Sequence, residues 1–479
     1  MRTDEAAEPR PDPAAPAPGQ FRVPLSLGQQ EIWNHLQTWP AVEHLFHDTV
    51  RIPLPGPADH ELASAVVDRL LRRHELLRTA FRGDEAGQPY QSIAATVVAP
   101  PVGVVDLSAL APDVREEELH RLLALQHAEP FDVSIAPLLH AGLFATGADT
   151  SLLALTIHHL VSDIATEGIL AADITELHRA LASGDEPELP PLPLQYADFA
   201  VWQRRLVAER GVDAERNWWL RTLDGMPLDI PLPHDRPPSP TTSKRTSCVE
   251  FVVPADVHAS MQRICREERS TLFIVSVAAV QTLVAQYTGR TDIVVLTTLN
   301  GRDRHELERI VGPIANGALL RADLSGDPSF LEIVQRSRAA VLAVFEHQHL
   351  PLEQVVGALR ERLVAAGIEQ HPQVPVSVEF FHTSQGHGQQ AGSVPACPPG
   401  GQRHIGAGSA EVQDTYNPLA FRMFGDGHQM WGRLAYHEAV FDQATAERLA
   451  VEFRRLLTAV AHDPDLRISE LPAVGRAAS

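Results

Sequence analysis

The stretch Ser151–Asp163, SLLALTIHHLVSD, decides how the chain folds. Ser151–Ile157 is an apolar run of strand length, and it ends on two adjacent histidines, His158 and His159. Just beyond, Ile169, Leu170, Ile174 and Leu177 recur at helical spacing, so a buried strand leads into an amphipathic helix. Working outward, Asp59 opens another helix with Ala63, Val66, Val67, Leu70 and Leu71 on one face. The second half repeats the pattern. Strand Val249–Val253, helix Ala255–Glu267, helix Leu272–Tyr287 and strand Asp292–Thr297 are followed near the end by strand Met430–Tyr436 and helix Gln443–Ala461. Alternating strands and helices in both halves predict an α/β chain, an α+β sandwich, of two similar-sized lobes.

Breaker-rich segments set the expected boundaries. Residues 1–20 hold five prolines and five alanines and are expected to be a disordered leader. Residues 21–230 form the first lobe and carry the histidine pair. Residues 231–246, PLPHDRPPSPTTSKRT, read as a linker. Residues 247–479 form the second lobe, with a Gly/Gln/Pro-rich loop at 384–408 expected to be mobile.

Composition narrows the chemistry. The 479 residues carry 40 basic and 61 acidic side chains, net −21, a balance that repels nucleic acid. Lys244 is the single lysine, within a Pro/Ser/Thr stretch, which excludes a P-loop and argues against a pyridoxal-phosphate Schiff base. Cys248, Cys265 and Cys397 lack CxxC spacing, so neither a zinc site nor a disulfide framework is expected. Acidic residues and prolines stand where a signal peptide needs an apolar core. No apolar run reaches the ~18 residues a membrane span requires. A soluble, cytoplasmic protein without a membrane partner is the expectation.

Adjacent histidines at a strand end point to opposite faces, so one can line a cleft while the other packs inward. With Asp163 to fix the loop, a histidine could act as base on an incoming nucleophile. Two other readings stay open on these residues alone. Among 23 histidines a pair arises by chance, and two histidines with an acid could begin a metal site, although no clear third ligand follows.

The wider sequence resembles the condensation domains of nonribosomal peptide synthetases. The resemblance rests on six motifs in order: Pro24–Trp33 (PLSLGQQEIW), Arg73–Phe81 (RHELLRTAF), His158–Ile164 in the place of HHxxxDG, Tyr196–Gln203 (YADFAVWQ), Gly301-Arg302 with Val311–Asn316 and Arg321, and His347–Glu353 (HQHLPLE). It implies two chloramphenicol-acetyltransferase-like lobes arranged as a V, with an active site in a tunnel between them. It further implies an acyltransferase that joins an acyl thioester, borne on a carrier protein's phosphopantetheine, to an amine or alcohol, making an amide or ester. His159 would be the catalytic histidine and His158 its structural neighbour. Asp163 would form a buried ion pair with Arg302, and Arg78 would brace the fold. Asn316 and Gln348 would belong to a latch and tunnel wall. No bound cofactor or metal is implied. The carrier protein would be the partner in trans, with a small-molecule or carrier-bound acceptor.

Some positions depart from the family pattern. Ile164 stands where the motif has glycine, which would strain a φ > 0 backbone and add bulk beside the site. The fifth motif reads GPIANG. These changes fit either an unusual acceptor or a degenerate module that recruits a partner without catalysis. An epimerising relative shares the histidine pair but normally follows a carrier domain. A heterocyclising relative would carry two aspartates in place of His158 and His159. The Met1 start and Pro/Ala leader favour a free-standing enzyme of natural-product biosynthesis.

Overall fold

The computed structural model describes residues 20–38, 46–237, 246–369, 374–382, 418–425 and 427–475. It divides into two compact units. One comprises the chain up to Leu206 plus Arg302–Ala315, and the other comprises Val207–Gly301 plus the chain from Asn316 onward.

The first unit holds β1 (Gln20–Pro24), β2 (His47–Pro55), β3 (Thr79–Gly83), β4 (Pro89–Ala94), β5 (Val102–Asp106), β6 (Leu139–Ala145) and β7 (Thr150–His158). They make a small sheet of order β1-β4-β3 and a four-stranded sheet of order β2-β7-β6-β5. The predicted apolar strand is β7. From Ser151 to His158 it is buried at every position, as an interior strand covered on both faces must be. Its helices are α1 (Leu27–Thr38), α2 (His60–Arg73), α3 (Pro112–His127) and α4 (Ile164–Ser183). The Asp59 side chain caps α2 by accepting from the Leu62 N–H at 3.0 Å. Ala63, Val66, Val67, Leu70 and Leu71 are its buried face.

The boundary between the units falls inside α5 (Tyr196–Arg210). Beyond it come α6 (Val212–Thr222), α7 (Ala255–Glu267), α8 (Leu272–Thr288), α9 (Phe330–Glu346), α10 (Leu352–Ala365) and α11 (Gln443–His462). The strands are β8 (Thr246–Val253), β9 (Asp292–Leu299), β10 (Asn316–Asp323), β11 (Val376–His382), β12 (Leu419–Gly425) and β13 (Met430–His437). They form one sheet of order β10-β9-β11-β12-β13-β8. Helix α8 is buried continuously from Ile274 to Ala285, and an all-round apolar helix of this kind is a core element. Among the described residues no single helix is long and apolar enough to cross a membrane.

The expected domain boundaries need correction. Residues 207–230 pack with the second unit, not the first, because α6 and the turn after it are built into that core. Trp219, Leu223 and Ile230 are buried, and Arg321 donates to the carbonyls of Thr222 and Asp224 at 3.1 and 2.7 Å. The first half of the expected linker is also tied down. Asp235 accepts from the Asp442 N–H (2.7 Å) and the Thr445 hydroxyl (2.9 Å) at the start of α11. Residues 238–245 of that linker, the leader up to residue 19 and the 384–408 loop lie outside the described residues. Gln20, placed in the leader, begins β1. Cys248, expected to be a thiol, is disulfide-bonded, and Cys265 is free.

Candidate active site at the end of strand β7

Strand β2 runs antiparallel to β7, with His47 opposite His158 and Asp48 opposite Ile157. His159 follows the last residue of β7, and its N–H donates to the Phe46 carbonyl at 2.7 Å. Alternation along the two strands sorts the side chains by face. The rings of His47 and His158 meet on one face, their centroids 5.7 Å apart. On the other, His159 Nδ1 approaches Asp48 Oδ2 at 3.1 Å.

Hydrogen bonding assigns the two histidines opposite tautomers. The Leu160 N–H donates to His158 Nδ1 at 3.0 Å, so the ring proton of His158 sits on Nε2. That Nε2 is buried with no hydrogen-bond partner, among the rings of Phe46, Phe131 and His47. Burial, with the neighbouring His47 and His159, pushes the His158 pKa well below the ordinary histidine value, so the ring stays neutral. His159 is the reverse case. Its Nδ1 faces the Asp48 carboxylate and, at 3.4 Å, the Ser162 carbonyl. Both are acceptors, so Nδ1 carries the proton and Nε2 keeps its lone pair. His159 is therefore the member of the pair that can take a proton from a nucleophile.

Asp163 does different work. It is the N-cap of α4, accepting from the Thr166 N–H and hydroxyl, both at 2.9 Å. Arg302 forks onto both oxygens at 2.8 and 3.1 Å, and the N–H groups of Ile314 and Ala315 add bonds of 3.0 Å each. Burial pushes the Asp163 pKa up. The Arg302 guanidinium and the N–H groups of Ala315 and Thr166 outweigh it and hold the carboxyl below its ordinary value. A carboxylate with each oxygen accepting three bonds has no capacity left to carry protons.

The remaining motifs hold their own units together. Gln29 Nε2 donates to the Leu160 carbonyl at 2.9 Å and so braces the histidine loop. The Tyr196 hydroxyl bridges Ser26 Oγ (2.8 Å) and the Pro313 carbonyl (2.9 Å). Gly312, at φ +136°, lies so close to Tyr196 and Leu76 that a Cβ would come within 2.3 and 2.5 Å of their side chains. Arg78 donates to the carbonyls of Ala94 and Ala95 and to Glu75. In the second unit the Asn316 amide donates to the carbonyls of Gln348 and Leu350, each at 2.7 Å, and accepts from the Leu352 N–H. Asn316 thus clamps the buried Gln348 loop within that unit.

The expected strain at Ile164 does not arise. Ile164 is the first residue of α4, after an extended Asp163, and is not among the residues with positive φ. Its side chain is exposed.

Two features escaped the sequence reading. Asp48 is one. The other is Asp173, fully buried on the apolar face of α4 and held by Arg73 (2.7 Å), His74 (3.0 Å) and Arg309 (2.8 Å). A charge between Leu170, Ile174 and Leu177 was a legible sign of a buried partner. An acidic residue within a strand gave no comparable sign. Among the described residues no group of three or more His, Cys, Asp or Glu side chains could hold a metal ion.

The chain is 30% identical over 461 residues to a linear gramicidin synthase polypeptide of Brevibacillus parabrevis, covering 96% of this chain but 9% of that much longer protein. Among solved structures it is similar to the X-domain from teicoplanin biosynthesis, determined in complex with OxyB. That match has a TM-score of 0.74 and 29% identity, covering 98% of this chain and 100% of that one. SgcC5 of Streptomyces globisporus, determined in complex with a naphthyl ethanediol and sucrose, matches with a TM-score of 0.67 and 25% identity, covering 88% and 94% of the two chains. The family model for the condensation domain matches residues 20–478. The chain belongs to the condensation-domain family.

Proposed function

We propose that this chain is an acyltransferase that joins an acyl thioester, carried on the phosphopantetheine arm of a separate carrier protein, to an amine or alcohol acceptor. The observation that carries the proposal is the tautomer of His159, whose Nε2 is left as a base while Asp163 is saturated. In the reaction the acceptor N or O bonds to the acyl carbon and its proton passes to Nε2. The C–S bond breaks, and the imidazolium returns that proton to the departing sulfur. Most of the rate comes from holding donor and acceptor together, worth up to ~10⁵–10⁸ M of effective concentration. The base adds roughly 10²–10⁴-fold. The diol bound in the SgcC5 complex supports an alcohol acceptor as one option.

The test is product formation, read by mass spectrometry, from donors loaded on carrier protein and as short free thioesters, with matched amine and alcohol acceptors. The proposal expects product with the carrier-bound donor, loss of it in His159→Ala, and far slower turnover of the free thioester. A second reading, recruitment of a partner protein without chemistry, is favoured by the X-domain similarity, because that domain was determined with OxyB bound. No product above the uncatalysed rate from any pair, with His159→Ala indistinguishable from the parent, decides for recruitment.

A further inference from the structure

We infer that Asp48, which lies outside the histidine motif, is the positioning residue of His159, fixing its tautomer and stabilising the imidazolium that forms during acyl transfer. The inference rests on the acyl-transfer reading above and assigns that site a second carboxylate with a different task from Asp163.

Geometry separates the two acids. Asp163 is spent on Arg302, Thr166 and the N–H groups of Ile314 and Ala315. Asp48 Oδ2 faces His159 Nδ1 at 3.1 Å and accepts from the Ser162 hydroxyl at 3.1 Å. Strand pairing makes its placement stiff. His159 is tied by its N–H to Phe46, and Asp48 stands two residues further along the same strand segment, in register with Ile157. The Asp48 side chain is only 15% exposed, and that of His159 7%, so water screens the pair weakly.

Among the described residues, Asp48 is the acid in contact with the imidazole. His158, its neighbour in the chain, is neutral in its aromatic surroundings. Asp163 and Arg302 cancel one another in a bidentate pair. His47 turns to the opposite face of the strand pair, its Nδ1 donating to the His127 carbonyl at 2.7 Å. When Nε2 takes the acceptor's proton, the positive charge on the ring forms beside the Asp48 carboxylate. A carboxylate behind a histidine both orients the ring and raises its proton affinity.

The experiment is histidine-selective ¹⁵N NMR of the full chain, with His159 assigned by loss of its signals in His159→Gln. In the parent at neutral pH, Nδ1 is expected to show the shift of a protonated ring nitrogen and Nε2 that of an unprotonated one. In Asp48→Asn both ring nitrogens should move toward the value of mixed tautomers, because the carboxylate that holds the Nδ1 proton has been removed. In the same variant kcat should fall by about ten- to a hundred-fold. An unprotonated Nδ1 in the parent, or ring-nitrogen shifts unmoved in Asp48→Asn, overturns the inference. The parent spectrum decides the tautomer even where the variant does not fold. Should the shifts move while the parent transfers no acyl group from any donor, the acyl-transfer reading fails and the Asp48–His159 coupling stands.

Discussion

Asp163 and Arg302, 139 residues apart in sequence, meet through two N–H···O bonds of 2.8 and 3.1 Å, and neither side chain is appreciably exposed. Because each carboxylate oxygen accepts three bonds, an amide cannot replace it in either orientation: its NH₂ would face donors both ways. Asp163→Asn and Asp163→Ala are therefore both expected to lower stability by roughly 3–5 kcal/mol, because the buried Arg302 loses its bidentate carboxylate. Urea unfolding followed by circular dichroism measures this. An Asn variant with the parent's midpoint would show that the charge of Asp163 does not hold the fold.

Buried histidines set the acid side of the stability profile. Burial lowers the pKa of His158, and burial also lowers that of His74 despite its bond to Asp173. Below the unfolded value of ~6.5 the unfolded chain binds protons on both residues that the folded chain refuses. Stability is thus complete above that pH and falls as pH drops, with a limiting slope of about 1.4 kcal/mol per pH unit for each proton. Denaturation midpoints between pH 7.5 and 5.5 should show the decline, and His158→Phe should flatten it. A flat profile in the parent would mean that both rings protonate without cost.

Gly312 tolerates no side chain. An alanine there would hold a left-handed backbone and drive its Cβ into the ring of Tyr196. Backbone strain and overpacking each contribute about 1–3 kcal/mol, so Gly312→Ala should lose at least ~2 kcal/mol by chemical denaturation. A variant as stable as the parent would mean that Tyr196 moves aside freely.

The class of acceptor can be read through His159. An α-amino group has a pKa of about 8, so roughly a tenth of it is neutral at pH 7 and needs orientation more than a base. An alcohol keeps its proton and leans on the imidazole. His159→Ala should reduce ester formation far more than amide formation, measured with matched acceptors on one carrier-bound donor. Equal losses would make His159 a positioning group rather than a base.

Much of this architecture was legible in the sequence because it is periodic. Helix Ala255–Glu267 matches residue for residue, and the buried stripe of α2 is the one the spacing predicts. The Asp163–Arg302 pair followed from motif position. What stayed hidden depends on contacts across the chain. No local pattern reveals that residues 207–230 join the second unit, since α6 is as amphipathic as a helix of either unit. The reach of Asp48 to His159 is set by the register of β2 against β7, a relation between segments more than a hundred residues apart. Ile164 was misjudged for a local reason. A residue after an N-cap starts a right-handed turn, so the backbone there makes no special demand for glycine.

Strands β9 and β10 pair antiparallel with Leu299 opposite Asn316, so the chain leaves the second unit after one strand and returns at the next. The intervening segment gives Arg302 to Asp163 and Arg309 to Asp173, two carboxylates placed ten residues apart along α4. On a ribosome the first unit therefore emerges with Asp163 lacking Arg302, and with Asp173 holding Arg73 but not yet Arg309. Synthesis must pass residue 315 before either set of partners is complete. A nascent chain halted near residue 300 should accordingly stay open to proteases around α4, although nearly all of that unit's residues have already been made.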